Sequence, residues 1–333
     1  MNGVWLITGG CGFIGSNLAA YLLKNHRGIR VRVLDNLSQG SVSAMVSTIR
    51  FNCVPGDPLN KVSVSIGDIK DYGICAESVE GADTVVHLAA NTGVAQSVDN
   101  PRADMETNVT GTLNVLEASR RAGVKKFIFA SSGAPVGEVE PPIHEGKAPR
   151  PVSPYGASKL AGEAYCQAYW RSYGLPTLAL RFGNVYGPGC GHKDSVVARF
   201  MRRALNGEPL EIYGDGSQTR DFIYIDDIVK AIWLAGMSDL GGEVFQIATH
   251  RETAVSEIAS SIRALVEKRT GRKTGIFFGR QRRGDVKRNY SDISKAKRML
   301  GFDPVFSVSQ GLEKTLEYYL GEGPENEGRL KAV

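Results

Sequence analysis

Residues 4–16 read VWLITGGCGFIGS: an apolar, β-rich run that breaks into closely spaced glycines and leads straight into a helical pattern. The same alternation recurs through the first half of the chain. Strand-like runs fall at 4–8, 30–35, 61–68, 82–90, 125–132 and 175–182, with helical stretches at 13–25 and 107–123 and a longer helix over 154–173. The strand runs are continuously apolar, which requires burial on both faces and therefore a parallel sheet covered by helices. Residues 38–60 hold Ser, Gly, Asn and Pro with little periodicity and are expected to form a variable loop.

Right-handed crossovers between such strands make the fold class α/β, a Rossmann-like doubly wound parallel sheet. Beyond about residue 183 the order changes. Short strands (LEIYG, RDFIYI, EVFQIA, GIFFG) mix with helices at 226–236, 255–269, 292–300 and 308–320. This predicts a smaller C-terminal α/β substrate lobe at the C-terminal edge of the sheet. The expected division is 1–182 for the dinucleotide-binding domain, with some later segments returning to it, 183–320 for the lobe, and 321–333 for a frayed tail.

Composition excludes several classes. The net charge is +5, and the basic residues cluster only loosely, in RRALNGE, VEKRTGRK and GRQRRGDVKR. That suits an anionic small molecule better than nucleic acid, and EKRTGRK reads as solvated surface. The five cysteines are odd in number, with no CxxC spacing, and the five histidines form no cluster, so neither a disulfide framework nor a metal site is expected. No apolar run approaches the roughly 20 residues of a membrane span, and the N-terminus has neither a basic region nor a cleavage site. A reduced, cytoplasmic compartment is the expectation.

Gly10, Gly12 and Gly15 match G-x-G-x-x-G, and Gly9, Gly12 and Gly15 match G-x-x-G-x-x-G. Between a strand and a helix, such glycines let the backbone approach a pyrophosphate at a helix N-terminus, here at Phe13 and Ile14. Asp35 ends the second strand twenty positions after Gly15. A carboxylate there accepts hydrogen bonds from an adenosine ribose diol and repels a 2′-phosphate, so NAD is expected rather than NADP. Asp68, in IGDI, is placed to meet the adenine. Leu88, Ala89 and Ala90 of HLAA are small enough for the cofactor to pass. Asn36, Ile69 and Asn108 complete the expected cofactor contacts, and His87 is read as a strand-end packing residue.

In SPYGASKLAGE, Tyr155 and Lys159 are four residues apart and share a helix face. A free tyrosine, with pKa about 10, is a poor base at neutral pH. A nearby ammonium stabilises the phenolate and brings it toward the working range. Alone the pair means little; its place after a glycine-rich dinucleotide fold, and about twenty residues after FASSGAPVG, gives it meaning. With these motifs the chain resembles the extended short-chain dehydrogenase/reductase family, within its NAD-dependent nucleotide-sugar epimerase and dehydratase group, over about residues 3–320. The resemblance implies a triad: Tyr155 as acid/base, Lys159 on the nicotinamide ribose and lowering the Tyr155 pKa, and Ser132 bridging substrate and Tyr155. Ser131 is the alternative to Ser132, because Val136 stands where the family pattern has tyrosine.

The family's 4,6-dehydratases carry Thr-Asp-Glu in this loop, and its decarboxylases keep a similar Thr-x-Glu. Gly133 and Ala134 follow Ser132 here, so no carboxyl is available for elimination and the resemblance implies 4-epimerisation of a UDP-sugar through a transient 4-keto sugar. It further implies substrate contacts at Asn184 (RFGNVYGPG), at the backbone around Ser195 to Val197, at Arg220 (QTRDFIYIDD), and at Arg282 and Asp285 (RRGDV). For Arg220 the alternative is an ion pair with Asp221. Asp226 and Asp227 read as a helix N-terminus. Asn289, where plain-hexose relatives carry a bulky tyrosine, would leave room for an N-acetyl group; a one-residue shift puts Tyr290 there instead. UDP-glucose/galactose and their N-acetyl forms stay open, with a uronic acid also possible. The resemblance also implies a homodimer formed by the helices over 101–122 and 154–173.

Overall fold

The computed structural model describes residues 3–53, 58–192, 195–280 and 286–321. Its centre is a seven-stranded sheet. In chain order the strands are β1 (Gly3–Thr8), β2 (Ile29–Asp35), β3 (Val62–Ile66), β4 (Thr84–His87), β5 (Lys126–Ser132), β6 (Thr177–Phe182), then the short β7 (Asn184–Tyr186), β8 (Leu210–Tyr213), β9 (Thr219–Arg220) and β10 (Phe222–Tyr224), and finally β11 (Glu243–Ile247), β12 (Thr253–Ala254) and β13 (Ile276–Gly279). The sheet order is β11-β6-β5-β4-β1-β2-β3, and every pairing in it is parallel. β11 is therefore a late segment that joins the edge of the central sheet. The remaining short strands pair two by two, β10 with β7, β12 with β9 and β13 with β8.

The apolar runs of β1, β4, β5 and β6 are buried on both faces, as a parallel sheet demands, whereas the run expected at 61–68 forms the edge strand β3, which alternates and leaves Ile66 exposed. Along β1, Trp5 and Ile7 enter one core while Leu6 enters the other; along β5, Ile128 and its neighbours Phe127 and Phe129 divide in the same way. The first core is closed by α1 (Phe13–Asn25), α2 (Val42–Asn52) and, from later in the chain, the helix over 225–237. The second is closed by α3 (Tyr72–Val79), α6 (Thr112–Arg121) and α7 (Pro154–Tyr173), while the short α4 (Val94–Asp99) and α5 (Pro101–Met105) lead into α6 outside this cluster. A fully buried Leu or Phe in such a core contributes about 1.5–3 kcal/mol relative to exposure. The later helices α8 (Val196–Leu205), α9 (Ile225–Met237), α10 (Val255–Thr270), α11 (Ser294–Leu300) and α12 (Val308–Leu320) belong to the same first core without a break.

Two expectations need correction. Residues 42–52 are not loop but α2, whose N-cap Ser41 accepts from the Ala44 N–H at 3.1 Å. Its buried stripe is only Met45, Thr48 and Ile49, too sparse to show as periodicity. The helix expected over 107–123 begins earlier, at Pro101, and carries one π-helical stretch, Glu106–Gly111, between α5 and α6. All five cysteines are buried and free. Among the described residues no helix is long and apolar enough to cross a membrane. The tail from 322 onward lies outside the described residues.

Candidate active site

The strand order reverses between β1 and β4, and the carboxyl ends of strands at such a switch point form a ligand crevice. The glycine turn fills this position. Gly9 has φ +70°, and a Cβ there would sit 2.8 Å from the Ala89 N. A Cβ on Gly15 would lie 2.5 Å from the Gly10 Cα, so α1 can approach the turn only through glycine. Around Gly12 a Cβ would meet nothing closer than the Gly9 carbonyl at 3.2 Å. Ser16 is the first α1 residue whose N–H bonds back along the helix, to Gly12 O at 3.0 Å, so the N–H groups before it point forward into the crevice. No acidic residue in the first turn neutralises that positive end, which suits a pyrophosphate.

Asp35 lies beside the turn. Its Oδ2 accepts from the Cys11 N–H at 2.9 Å and its Oδ1 from the Leu37 N–H at 2.8 Å. Each oxygen keeps a further lone pair, which a ribose diol can use. Asn36 donates to Asp68 Oδ2 at 3.1 Å, and the Lys70 N–H donates to Asp68 Oδ1 at 2.9 Å. Burial alone would raise the Asp68 carboxyl, but these hydrogen bonds outweigh it and hold it below the usual carboxylate range. The residues around this crevice fit NAD: a glycine cradle, an open helix N-terminus and a carboxylate for the ribose.

Several expected contacts are structural at the side-chain level. Phe13 and Ile69 put their side chains in the two cores, while Ile14, Leu88, Ala89 and Ala90 are partly exposed along the crevice. Asn108 is buried; its amide donates to Asn91 O, Asp104 Oδ1 and Ser158 Oγ, and its carbonyl accepts from the Asn91 N–H. It ties the segment after β4 to α7. His87 is enclosed between the hydroxyls of Thr8, 2.7 Å from Nδ1, and Thr112, 3.0 Å from Nε2. Burial, assisted by the Lys159 charge, pushes its pKa down to about 3, so it is a neutral packing residue.

α7 starts at the N-cap Ser153, which accepts from the Gly156 N–H at 3.1 Å, with Pro154 at its first position. This start aims Tyr155 at the end of β5, beside Ser132. One turn later Lys159 is buried. Its Nζ donates to Ala130 O at 2.8 Å and lies 4.9 Å over the Phe129 ring and 5.9 Å over the Tyr155 ring. Ser131 faces the other way and donates to Glu163 Oε1 at 2.5 Å. The structure thus brings Ser132, Tyr155 and Lys159 together and commits Ser131 elsewhere. The electrostatics differ from expectation: burial pushes the Tyr155 phenol up to about 12, Ser132 opposes this through its hydrogen bond, and Asp104 adds to it. Burial also brings Lys159 down to about 8, against the opposing charges of Asp104 and Glu163.

In the lobe, Asn184 is exposed on β7, directly after β6. Val197 is fully buried in the core, so only its backbone, in the first turn of α8, can face a ligand. Arg220 Nη1 donates to Thr219 O and Val286 O, both at 2.7 Å. The alternative pairing with Asp221 does not form through the Asp221 oxygens, which take the Thr249 hydroxyl at 2.6 Å and the N–H groups of Thr249, His250 and Ser291 at 2.8, 3.1 and 3.2 Å. Asp226 and Asp227 occupy the first turn of α9, and Asp227 accepts from the Val305 and Phe306 N–H groups. Asn289 is partly exposed, whereas the Tyr290 ring packs edge-on against His250 at 6.0 Å. Arg282 and Asp285 lie outside the described residues. Sequence reasoning missed Glu163 and Asp221; the first stands four positions after Lys159 on the same helical stripe, a signal available in SPYGASKLAGE.

Comparison with known proteins agrees with this geometry. The family model for the NAD dependent epimerase/dehydratase family matches residues 5–248. A UDP-glucose 4-epimerase of Mycolicibacterium smegmatis is 37% identical over 94% of this chain and 97% of its own length. A UDP-glucuronate 4-epimerase of Thermodesulfobacterium geofontis is 34% identical over 95% of this chain and 96% of its own. The crystal structure of a UDP-glucose 4-epimerase from Thermotoga maritima with UDP-glucose superposes with a TM-score of 0.85 at 38% identity, covering 96% of this chain and 99% of that one. A glycine cradle at the switch point, a carboxylate at the end of β2 and a Ser–Tyr–Lys cluster at the end of β5 are thus found in a chain that belongs to the NAD dependent epimerase/dehydratase family.

Proposed function

We propose that this chain is an NAD-dependent UDP-sugar 4-epimerase, an isomerase that inverts C4 of a UDP-hexose. The observation that carries the reading is the gathering of Ser132, Tyr155 and the buried Lys159 at the end of β5, beside a glycine cradle suited to NAD. Gly133 and Ala134 supply no carboxyl at the same place, which disfavours the dehydratase and decarboxylase alternatives. When bound, NAD supplies the acceptor and donor for the C4 hydride. Tyr155 takes the proton of the sugar 4-hydroxyl and later returns it; Ser132 holds that hydroxyl against Tyr155; the Lys159 ammonium stabilises the phenolate while the proton is away. The lobe over 183–320 binds the UDP group, with Asn184, Arg220 and the Val197 backbone at the diphosphate and base. Guanidinium donors suit the diphosphate.

Asn289 is the residue we assign to the sugar's size limit, since the Tyr290 ring is engaged with His250. Both glucose-type and glucuronate-type relatives cover nearly all of the chain, so the sugar is to be read directly. Incubation with NAD and each of UDP-glucose, UDP-galactose, UDP-GlcNAc, UDP-GalNAc and UDP-glucuronate, followed by NMR of the anomeric protons, is expected to show interconversion of one 4-epimer pair. Loss of C6 oxidation state or of carbon dioxide in place of interconversion would overturn the reading.

A homodimer belongs to the same proposal. Val94, Val98, Met105, Tyr165 and Tyr173 are all exposed on α4, α5 and α7. Apolar side chains gathered on neighbouring helices suit a second copy of the same surface. Sedimentation at micromolar concentration is expected to give twice the 36.0 kDa chain mass; a monomer at that concentration would remove the proposal.

A further inference from the structure

Tyr155, Lys159 and Glu163 follow one another at intervals of four along one face of α7, buried at Lys159 and Glu163, and each faces the end of β5. Tyr155 meets Ser132, Lys159 meets Ala130 O, and Glu163 meets Ser131. The third rung is the most heavily fixed. Arg181 on β6 reaches it with two parallel bonds, Nε to Oε1 at 2.8 Å and Nη2 to Oε2 at 2.7 Å. Both side chains are about 5% exposed or less. The sheet register sets Ser131 opposite Arg181, so two adjacent strands hold one carboxylate from two sides.

A buried ion pair is weak evidence for stability, because desolvation offsets most of the attraction. Its placement here is more informative. Glu163 lies between Arg181 and Lys159, one helical turn from a buried ammonium that donates to the neutral Ala130 carbonyl. Resting on the epimerase reading above, we propose that Glu163 is a positioning residue for the reaction: locked by Arg181 and Ser131, it fixes the height of α7 on the sheet and supplies the negative charge against which the Lys159 ammonium is held beneath Tyr155.

The groups facing Lys159 are few. From α7 they are Tyr155, Glu163 and Cys166; from α5, Asp104; from β4, neutral His87; from β5, the Phe129 ring and Ala130 O. Asp104 and Glu163 are the two carboxylates among them. Removing the Glu163 charge therefore withdraws one of two stabilising anions, and the ammonium loses its proton at lower pH. The wild-type rate, which needs that ammonium, is expected to fall as pH rises through about 8.

Two arms test this. In the first, the Lys159 Nζ resonance, assigned by its loss in Lys159→Arg, is titrated by NMR in wild type and Glu163→Gln with NAD present. A fall of about one pH unit in the midpoint is expected; an unchanged midpoint overturns the proposal whatever the enzyme's substrate. In the second, kcat and KM are followed against pH on the UDP-sugar pair that the wild type interconverts. Glu163→Gln should lose about tenfold to a hundredfold in kcat with KM little changed, and its alkaline limb should move to lower pH. The double variant Glu163→Leu/Arg181→Met removes the pair together and should fold well. A merely structural role predicts that this variant recovers wild-type kcat and pH profile, which would also overturn the proposal. A wild type inactive on all UDP-sugars overturns the epimerase reading instead and leaves the titration arm decisive.

Discussion

Tyr155→Phe is expected to lower kcat by about 10²- to 10⁴-fold, the range for loss of a positioned acid–base group. The substitution removes one hydroxyl whose partner is Ser132. Ser132 Oγ keeps a second bond, accepting from the Ala134 N–H at 3.2 Å, so the loop after β5 retains its anchor. Lys159 stays on Ala130 O, and the ring still lies over the ammonium. The melting temperature should therefore move little, KM should stay within a few-fold, and NAD should remain bound. Burial raises this phenol, so the Lys159 ammonium and the positive charge of bound NAD must offset it before Tyr155 can take the sugar proton. A variant retaining more than a tenth of wild-type kcat would show that Tyr155 is not the proton carrier.

Asp221→Ala should have the largest effect on stability. Asp221 is 2% exposed, and its two oxygens accept three backbone N–H groups and one hydroxyl from Thr249, His250 and Ser291. Alanine leaves those N–H groups without their acceptors, at about 1–3 kcal/mol each. His250 adds to this, because its φ of +60° is a left-handed conformation that the Asp221 contact helps hold. A total of about 3–6 kcal/mol is expected, or a melting-temperature drop on the order of 10 °C. Asp221→Asn keeps the shape and one good acceptor and should lose less. KM for the UDP-sugar should rise in the alanine variant, since Ser291 is two residues from Asn289. Thermal unfolding within 1 °C of wild type would exclude the role assigned to Asp221.

The parts of the fold that were legible in the sequence are those where one force dominates. β1, β5 and β6 are buried on both faces, so their apolar runs needed no context. The 13–25 helix was read at its observed bounds because the glycine turn marks its start. α2 was not legible, since Ser, Thr and Val dilute its stripe and its burial comes from α1 and α12 packing on it. The return of β11 to the sheet was anticipated only in general terms, because sequence order does not say which strand neighbours β6. In the site, Tyr155 and Lys159 stood out through their spacing together with their place after a glycine-rich dinucleotide fold, and Ser132 came only from the family pattern. Glu163 shared their helical stripe, but its weight comes from Arg181 on another strand, and Asp221 matters through Ser291 seventy positions away, partners that no local pattern shows.

The segment over 286–292 closes the molecule. Ile143 donates to Tyr290 O and accepts from the Asp292 N–H, and Arg288 reaches Glu140, 148 positions earlier. During synthesis the chain emerges N-terminus first, and the seventh sheet strand is complete at Ile247. Both the core behind the dinucleotide cradle and the flank of the loop after β5 therefore wait for the last quarter of the chain, so synthesis order makes the two halves of the site mature together.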